Sequence, residues 1–108
     1  MALRLVYITA KDKAEAKKIG NALLAARVAA CVNIIEHMES MYWWEGKIEE
    51  SSEAVLIAKT DSSLVGEVIA LVKKTHNYSV PCVLSLPVET GNPDYVNWLK
   101  SNLAAKKN

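Results

Sequence analysis

The stretch from Ala30 to Thr60, ACVNIIEHMESMYWWEGKIEESSEAVLIAKT, constrains the fold more than any other part of the chain. Val, Ile, Tyr and Trp crowd both of its halves and no proline interrupts either, so a continuous β-ladder is permitted. Glu45-Gly46 divides the two halves, and the glycine supplies the positive φ of a tight hairpin turn. Each arm is about 14 residues and, at about 3.4 Å per residue, about 45 Å long. A compact domain of 108 residues has a diameter of only about 35 Å. The ribbon is therefore longer than the body that should bury it. Its tip, Met41-Tyr42-Trp43-Trp44, is also too aromatic for water. Trp43 and Trp44 have the ring faces to stack a ligand, but burial against a neighbouring copy explains Tyr42, Trp43 and Trp44 more simply, since aromatic side chains anchor most subunit contacts.

The segments around the ribbon complete one domain, residues 1–108. Leu3 to Thr9 is nearly all apolar and reads as a central strand. Asp12 caps a helix reaching about Ala26, with Ile19, Ala22, Leu23 and Ala26 as its buried stripe. Lys11, Lys13, Glu15, Lys17 and Lys18 are expected on the solvated side. Within the ribbon, Glu36 to Ser40 breaks the alternation and predicts a bulge. Asp61-Ser62-Ser63 starts a second helix that ends near Thr75, with Leu64, Val65, Val68, Ile69 and Val72 facing the core. Cys82 to Val88 is the last strand. Gly91-Asn92-Pro93-Asp94 then opens a short helix carrying Tyr95, Val96, Trp98, Leu99 and Leu103, before the polar Lys106-Lys107-Asn108. This order predicts an α+β, ferredoxin-like βαββαβ fold: an antiparallel sheet with two helices on one face and a short C-terminal helix.

Charge narrows the function. The formal net charge is +1 and Lys and Arg never run beyond pairs, which argues against nucleic acid as a partner. No apolar run approaches the roughly 20 residues of a membrane span, and Met1 to Thr9 passes into Lys11-Asp12-Lys13 without the layout of a signal peptide. Cys31 and Cys82 are too few for a disulfide framework, so a reducing cytoplasm is the expected compartment.

Soft donor atoms are few. Cys31 and His37 lie six residues apart, as do His76 and Cys82. Six residues along a strand separate side chains by about 20 Å, whereas ligands of one ion lie within about 4 Å of each other. Neither pair chelates alone; convergence across strands or subunits is required. Cys31 and Cys82 are explained as small buried hydrophobes and His37 as a half-exposed residue at a bend. His76, leaving the second helix beside Tyr78, has the strongest claim to a binding role. No nucleophile motif or glycine-rich phosphate cradle is present, so no enzyme is expected. Glu49, Glu50 and Glu53 read as charges that guard an exposed strand edge. Lys59 suits either a structural ion pair or an anchor for a ligand anion.

Taken in order, several blocks resemble the CutA (CutA1) family of divalent-cation tolerance proteins. They are Leu24-Ala25-Ala26-Arg27-Val28-Ala29-Ala30-Cys31-Val32-Asn33, Tyr42-Trp43-Trp44-Glu45-Gly46-Lys47-Ile48-Glu49, Lys59-Thr60, His76-x-Tyr78-x-x-Pro81 and Gly91-Asn92-Pro93-Asp94-Tyr95-Val96-x-Trp98-Leu99. The resemblance implies a non-enzymatic, cytoplasmic homotrimer held by its long hairpins and involved in tolerance of copper and other divalent metals. It also implies metal ligands from a first-strand cysteine and a histidine pair. Those positions are Ile8 and Thr75-His76 here, so only His76 remains. Asn77 replaces the family's usual proline and Cys82 its usual glutamate. Cys82 thereby adds a soft ligand near His76, which favours Cu(I) or Zn(II). A second expectation rests on the shared fold of the PII signalling trimers: a small anionic metabolite in an intersubunit cleft lined by Trp43, Trp44, Lys59 and Tyr78.

Overall fold

The computed structural model describes residues 2–104, so the expected tail Lys106-Lys107-Asn108 lies outside the described residues. Strand β1 (Leu3–Ala10) is followed by helix α1 (Lys13–Ala25), the hairpin strands β2 (Cys31–Trp44) and β3 (Lys47–Asp61), helix α2 (Val65–Thr75), strand β4 (Val83–Pro87) and helix α3 (Pro93–Ser101). The strands lie in the order β2-β3-β1-β4, and every pairing is antiparallel. This is the expected ferredoxin-like sheet, with β1 and β3 inside it.

Local chemistry sets most boundaries. Asp12 accepts from the Glu15 amide at 2.8 Å and starts α1. Arg27, at φ 55°, ends it: its amide reaches Leu24 O and the Val28 amide reaches Leu23 O, the paired bonds of a Schellman motif. Glu45 and Gly46 have consecutive positive φ values of 50° and 78°, the arrangement of a two-residue type I′ hairpin turn. Asn92 caps α3 ahead of Pro93, as its sequence predicts. β4 is shorter than expected, although Cys82 O and the Val88 amide still bond Thr9 and Leu3 of β1.

The core lies between α1, α2 and one face of the sheet. Val6, Ile8 and Ala10 of β1 and Leu56 and Ala58 of β3 pack beneath Ile19 and Leu23 of α1 and Val68 and Val72 of α2. The buried stripe of α1 is turned slightly from the expected one: Ala16 and Gly20 are buried, while Ala22 is half-buried and Ala26 exposed. Gly20 explains the turn, because a Cβ there would come within 3.2 Å of Val32 Cγ2. On α2, Ile69 faces outward rather than into the core. The opposite sheet face carries Leu84 and Leu86 in the open, with α3 covering only the end near Lys59.

The expected bulge is present and decides the ribbon's faces. From Ile35 to Met38 β2 takes three steps, while β3 takes two from Val55 to Glu53. One extra residue reverses the alternation, so Met38, Tyr42 and Trp44 continue the face begun by Cys31 and Ile35. Without it, Met41 and Trp43 would take that side. His37 stands in the bulge at φ 62°, a left-handed conformation that histidine adopts more readily than β-branched residues do.

Two predictions follow from this geometry. In urea unfolding, His37→Gly should match or exceed the wild type, whereas His37→Val should lose about 1–2 kcal/mol; equal stabilities would remove the bulge from the account. The second concerns Asp61, which is 2% exposed and accepts from the Ser63 amide and hydroxyl at the entry to α2. Burial pushes its carboxyl up, but the two Ser63 bonds, together with the positive chain terminus and the Ala2 backbone, leave it below the usual range. Its contribution is therefore complete above the unfolded carboxyl's pKa of about 3.9 and is lost as pH falls through the lower folded value. Asp61→Ala should cost about 1 kcal/mol at pH 7, and the difference from wild type should shrink below about pH 4.

Candidate functional site

β1 ends where Ala10 pairs with Ala54, so β3 continues outward from Glu53 with only β2 beside it. A cleft of about 650 Å³ opens at this corner, between the root of the ribbon and the segment after α2. Tyr7 and Thr9 of β1 form its floor, and Met38, Tyr42 and Trp44 form the wall that the bulge turned inward. Tyr78, Val80 and Cys82 close the other side.

A buried polar knot holds that second side in place. His76 ends α2, its amide bonded to Val72 O at 2.8 Å, and its residue is 8% exposed. Nδ1 accepts from the Tyr78 amide at 3.0 Å, so Nε2 carries the proton and donates to Thr9 O at 2.6 Å. Glu15 lies alongside, Oε1 3.7 Å from His76 Nε2. Its Oε1 accepts from the Lys11 amide at 2.9 Å and its Oε2 from the Asn77 amide at 3.1 Å. One carboxylate thus fastens the start of α1 to the segment that carries Tyr78 and Cys82. The Tyr78 hydroxyl donates to Glu53 Oε2 at 3.0 Å. Burial, and then the nearby Glu53 charge, push the Tyr78 phenol far above its ordinary value and keep it a donor. Burial also raises the Cys82 thiol, against a hydrogen bond from Thr9 that lowers it.

The sequence-predicted site residues divide into two groups. Trp44, Tyr78 and Cys82 meet in the cleft. His76 stands behind it with both ring nitrogens bonded inside the fold. Trp43 alternates to the other face of the ribbon and is 73% exposed. Lys59 lies at the far end of the sheet, where Nζ donates to Tyr95 Oη at 3.0 Å and sits 5.2 Å from that ring's centre. The Tyr95 hydrogen bond holds its ammonium above the ordinary value. Its partner is thus a hydroxyl and not the acid of an ion pair. Cys31 and Cys82 are both free and half-buried, less enclosed than expected, and His37 is exposed.

Two residues with central roles contradict their expected places. Glu15, assigned to the solvated side of α1, is 5% exposed. The pattern Asp12-x-x-Glu15 is a capping-box signature and was the available signal, since such a glutamate turns back toward the helix start. Glu53, expected to guard an exposed edge, is 8% exposed beneath Tyr78, just past the last residue of β3 that pairs with β1. No local pattern separates it from Glu49 and Glu50, which remain exposed on the ribbon.

Known proteins share this architecture over nearly the whole chain. The family model described as CutA1 divalent ion tolerance protein matches residues 4–102. The divalent-cation tolerance protein CutA of Archaeoglobus fulgidus is 43% identical over 94 residues, covering 87% of this chain and 91% of that protein. Protein CutA 1, chloroplastic, of Oryza sativa subsp. japonica is 42% identical over 98 residues, 91% of this chain and 55% of that protein. The chain spans about half the length of the rice, mouse and Arabidopsis relatives it matches. The crystal structure of CutA1 from Oryza sativa superposes with a TM-score of 0.95 at 39% identity, covering 98% of this chain and 97% of that one. The corresponding Archaeoglobus fulgidus structure gives 0.90 at 40% identity, over 93% and 97% of the two chains. These relatives' names differ in compartment, one chloroplastic and one periplasmic. Among the described residues no helix is long and apolar enough to cross a membrane. Sequence and backbone agree from β1 to the end of α3, and the chain belongs to the CutA1 divalent ion tolerance protein family.

Proposed function

We propose that the chain is a non-enzymatic divalent-cation tolerance protein that works as a homotrimer and takes up metal at the hairpin-root cleft. The carrying observation is apolar surface that one chain leaves uncovered. Met41, Trp43 and Ile48 are exposed on the ribbon, and Ile35, Leu84 and Leu86 along the open sheet face. Clustered exposed apolar side chains of this kind mark subunit contacts. The outer edge of β2 is also unpaired along 14 residues, a template for joining other chains unless a regular assembly occupies it. Three copies is the number carried over from the family resemblance; the uncovered surface supports association on physical grounds.

Copper or another divalent transition metal is the expected ion. Among the described residues no group of three or more His, Cys, Asp or Glu side chains is placed to hold one, so the ligand set is completed by another copy. Cys82 is the soft donor that lines the cleft. His76 acts on this reading as a positioning residue, fixing the segment from Tyr78 to Cys82. An anionic ligand is disfavoured here, because Glu53 lines the cleft, no Lys or Arg does, and Lys59 is engaged elsewhere. Two free thiols suit a reducing compartment, and we place the protein in the cytoplasm.

Sedimentation at micromolar concentration should give the mass of three chains, and a monomer would overturn the assembly. Trp43→Ala should weaken assembly and, because another copy completes the ligand set, should also weaken metal binding under conditions where the copies separate. In calorimetric titration with Zn(II), Cys82→Ser should bind at least about tenfold more weakly than wild type, since a thiolate ligand is lost. Because the Cys82 thiol is raised and must lose its proton to bind, affinity should climb from pH 7 to pH 9 in wild type only. Identical titrations of the two proteins would remove Cys82 from the site.

A further inference from the structure

The small net charge hides a separation of charge within the molecule. The ribbon from Glu36 to Glu53 holds six glutamates and one lysine, and the remainder of the chain holds twelve Lys and Arg against six acids. The positive excess gathers on the helical layer. Glu15 accepts from the amides of Lys11 and Asn77, so the start of α1 and the end of α2 stand at the same end of that layer. Lys11, Lys13, Lys17 and Lys18 are exposed on and just before α1, and Lys73 and Lys74 on the last turn of α2. Acids on the layer are fewer: Asp12 caps α1, Glu15 is buried, and Glu67 sits in the first turn of α2, away from Lys73 and Lys74 in its last. Glu36 of β2 comes within 3.9 Å of Lys13 Nζ. Helix stability does not account for this arrangement. Lys73 and Lys74 suit the negative end of α2, but α1 carries its lysines toward the positive end of its dipole and none in its last turn.

We propose that the helical layer docks on an anionic lipid surface, with Lys11, Lys13, Lys17, Lys18, Lys73 and Lys74 turned toward its acidic headgroups. A cluster of this number of lysines on amphipathic helices matches the charge density of such a surface. All six are lysines, point charges that respond to charge density and lack the arginine fork that grips a single phosphate. α1 and α2 contain no aromatic side chain on which a base could stack, which sets a nucleic acid behind a bilayer as the partner. Farther along the same two helices, Leu24 and Ile69 are each 38% exposed, apolar tips that a headgroup layer can take in. The attachment is to the surface only, since among the described residues no helix is long and apolar enough to cross. The ribbon prolongs the sheet, the layer behind the helices, so its glutamates lie farther from the lipid and are screened more strongly. The basic surface lies apart from the cleft and is complete within one chain.

The experiment sediments the full chain with vesicles of phosphatidylserine and phosphatidylcholine, and with vesicles of phosphatidylcholine alone, at physiological salt. The chain should pellet with the mixed vesicles only and be released as salt is raised. Lys17→Gln combined with Lys18→Gln should weaken partitioning onto the mixed vesicles at least about tenfold, since each lysine near such a surface contributes about fivefold. Lys47→Gln removes the same charge from the ribbon and should change partitioning by no more than about twofold. Where the double variant fails to fold, Lys73→Gln combined with Lys74→Gln takes its place. Equal pelleting with both kinds of vesicle, pelleting with neither, an unchanged double variant, or an equal loss in Lys47→Gln would overturn the proposal. A short DNA duplex that strips the chain from the mixed vesicles at equal phosphate concentration would overturn it too, and would make nucleic acid the partner.

Discussion

The structure depends on the length of β3. Its second half, Ala54 to Asp61, lies between β1 and β2 and buries Leu56 and Ala58 beneath the helices. Its first half pairs with β2 alone among the described strands. One strand thus belongs to a packed body at one end and to a two-stranded ribbon at the other. Isolated two-stranded ribbons are marginal in water, and this one is extended enough to give the molecule a long axis of 44 Å against 26 and 23 Å across. The uncovered apolar surface and the cleft at the ribbon's root both follow from the mismatch in strand length.

The corner where body becomes ribbon is also where buried polar groups gather. Thr9, Glu15, Glu53 and His76 are all nearly enclosed there. Each has a partner: His76 bridges the β1 backbone and the Tyr78 amide, Glu15 takes amides from two separate segments, and Glu53 takes a hydroxyl. Such bonds are strong where water is absent and costly when half-made, so they fix the segment from His76 to Cys82 without regular structure. Cys82 and Tyr78 consequently face the cleft from a defined position although they lie outside any helix or strand. The same enclosure raises both of their proton affinities, which favours the neutral thiol and phenol.

Much of this was legible in the chain itself. The hairpin, its turn at Glu45-Gly46, the disturbance between Glu36 and Ser40, the Asp12 and Asn92 caps and the order of elements all rest on chemistry within a few residues of one another. The order of elements pointed to the sheet topology, and the family blocks agreed with it. Of the site, Trp44 and Tyr78 were expected in one cleft and do meet there, but Trp43 and Lys59, grouped with them, lie apart; Cys82, expected beside His76, lines that cleft while His76 stands behind it. Glu15 was recoverable from its capping pattern, whereas nothing near Glu53 distinguishes it from its exposed neighbours.

What the sequence alone determined is therefore the local part: where strands and helices begin, and that a ribbon must outgrow its body. What tertiary structure decided is which side chains face which. A bulge of one residue reverses the alternation of half a strand, and the small side of Gly20 sets the roll of α1 against the sheet. Burial of Glu53 arises only when β1, β3 and the segment after α2 meet across long stretches of chain. Local patterns carry no record of such meetings, because the free energy that selects them comes from contacts between residues far apart in sequence.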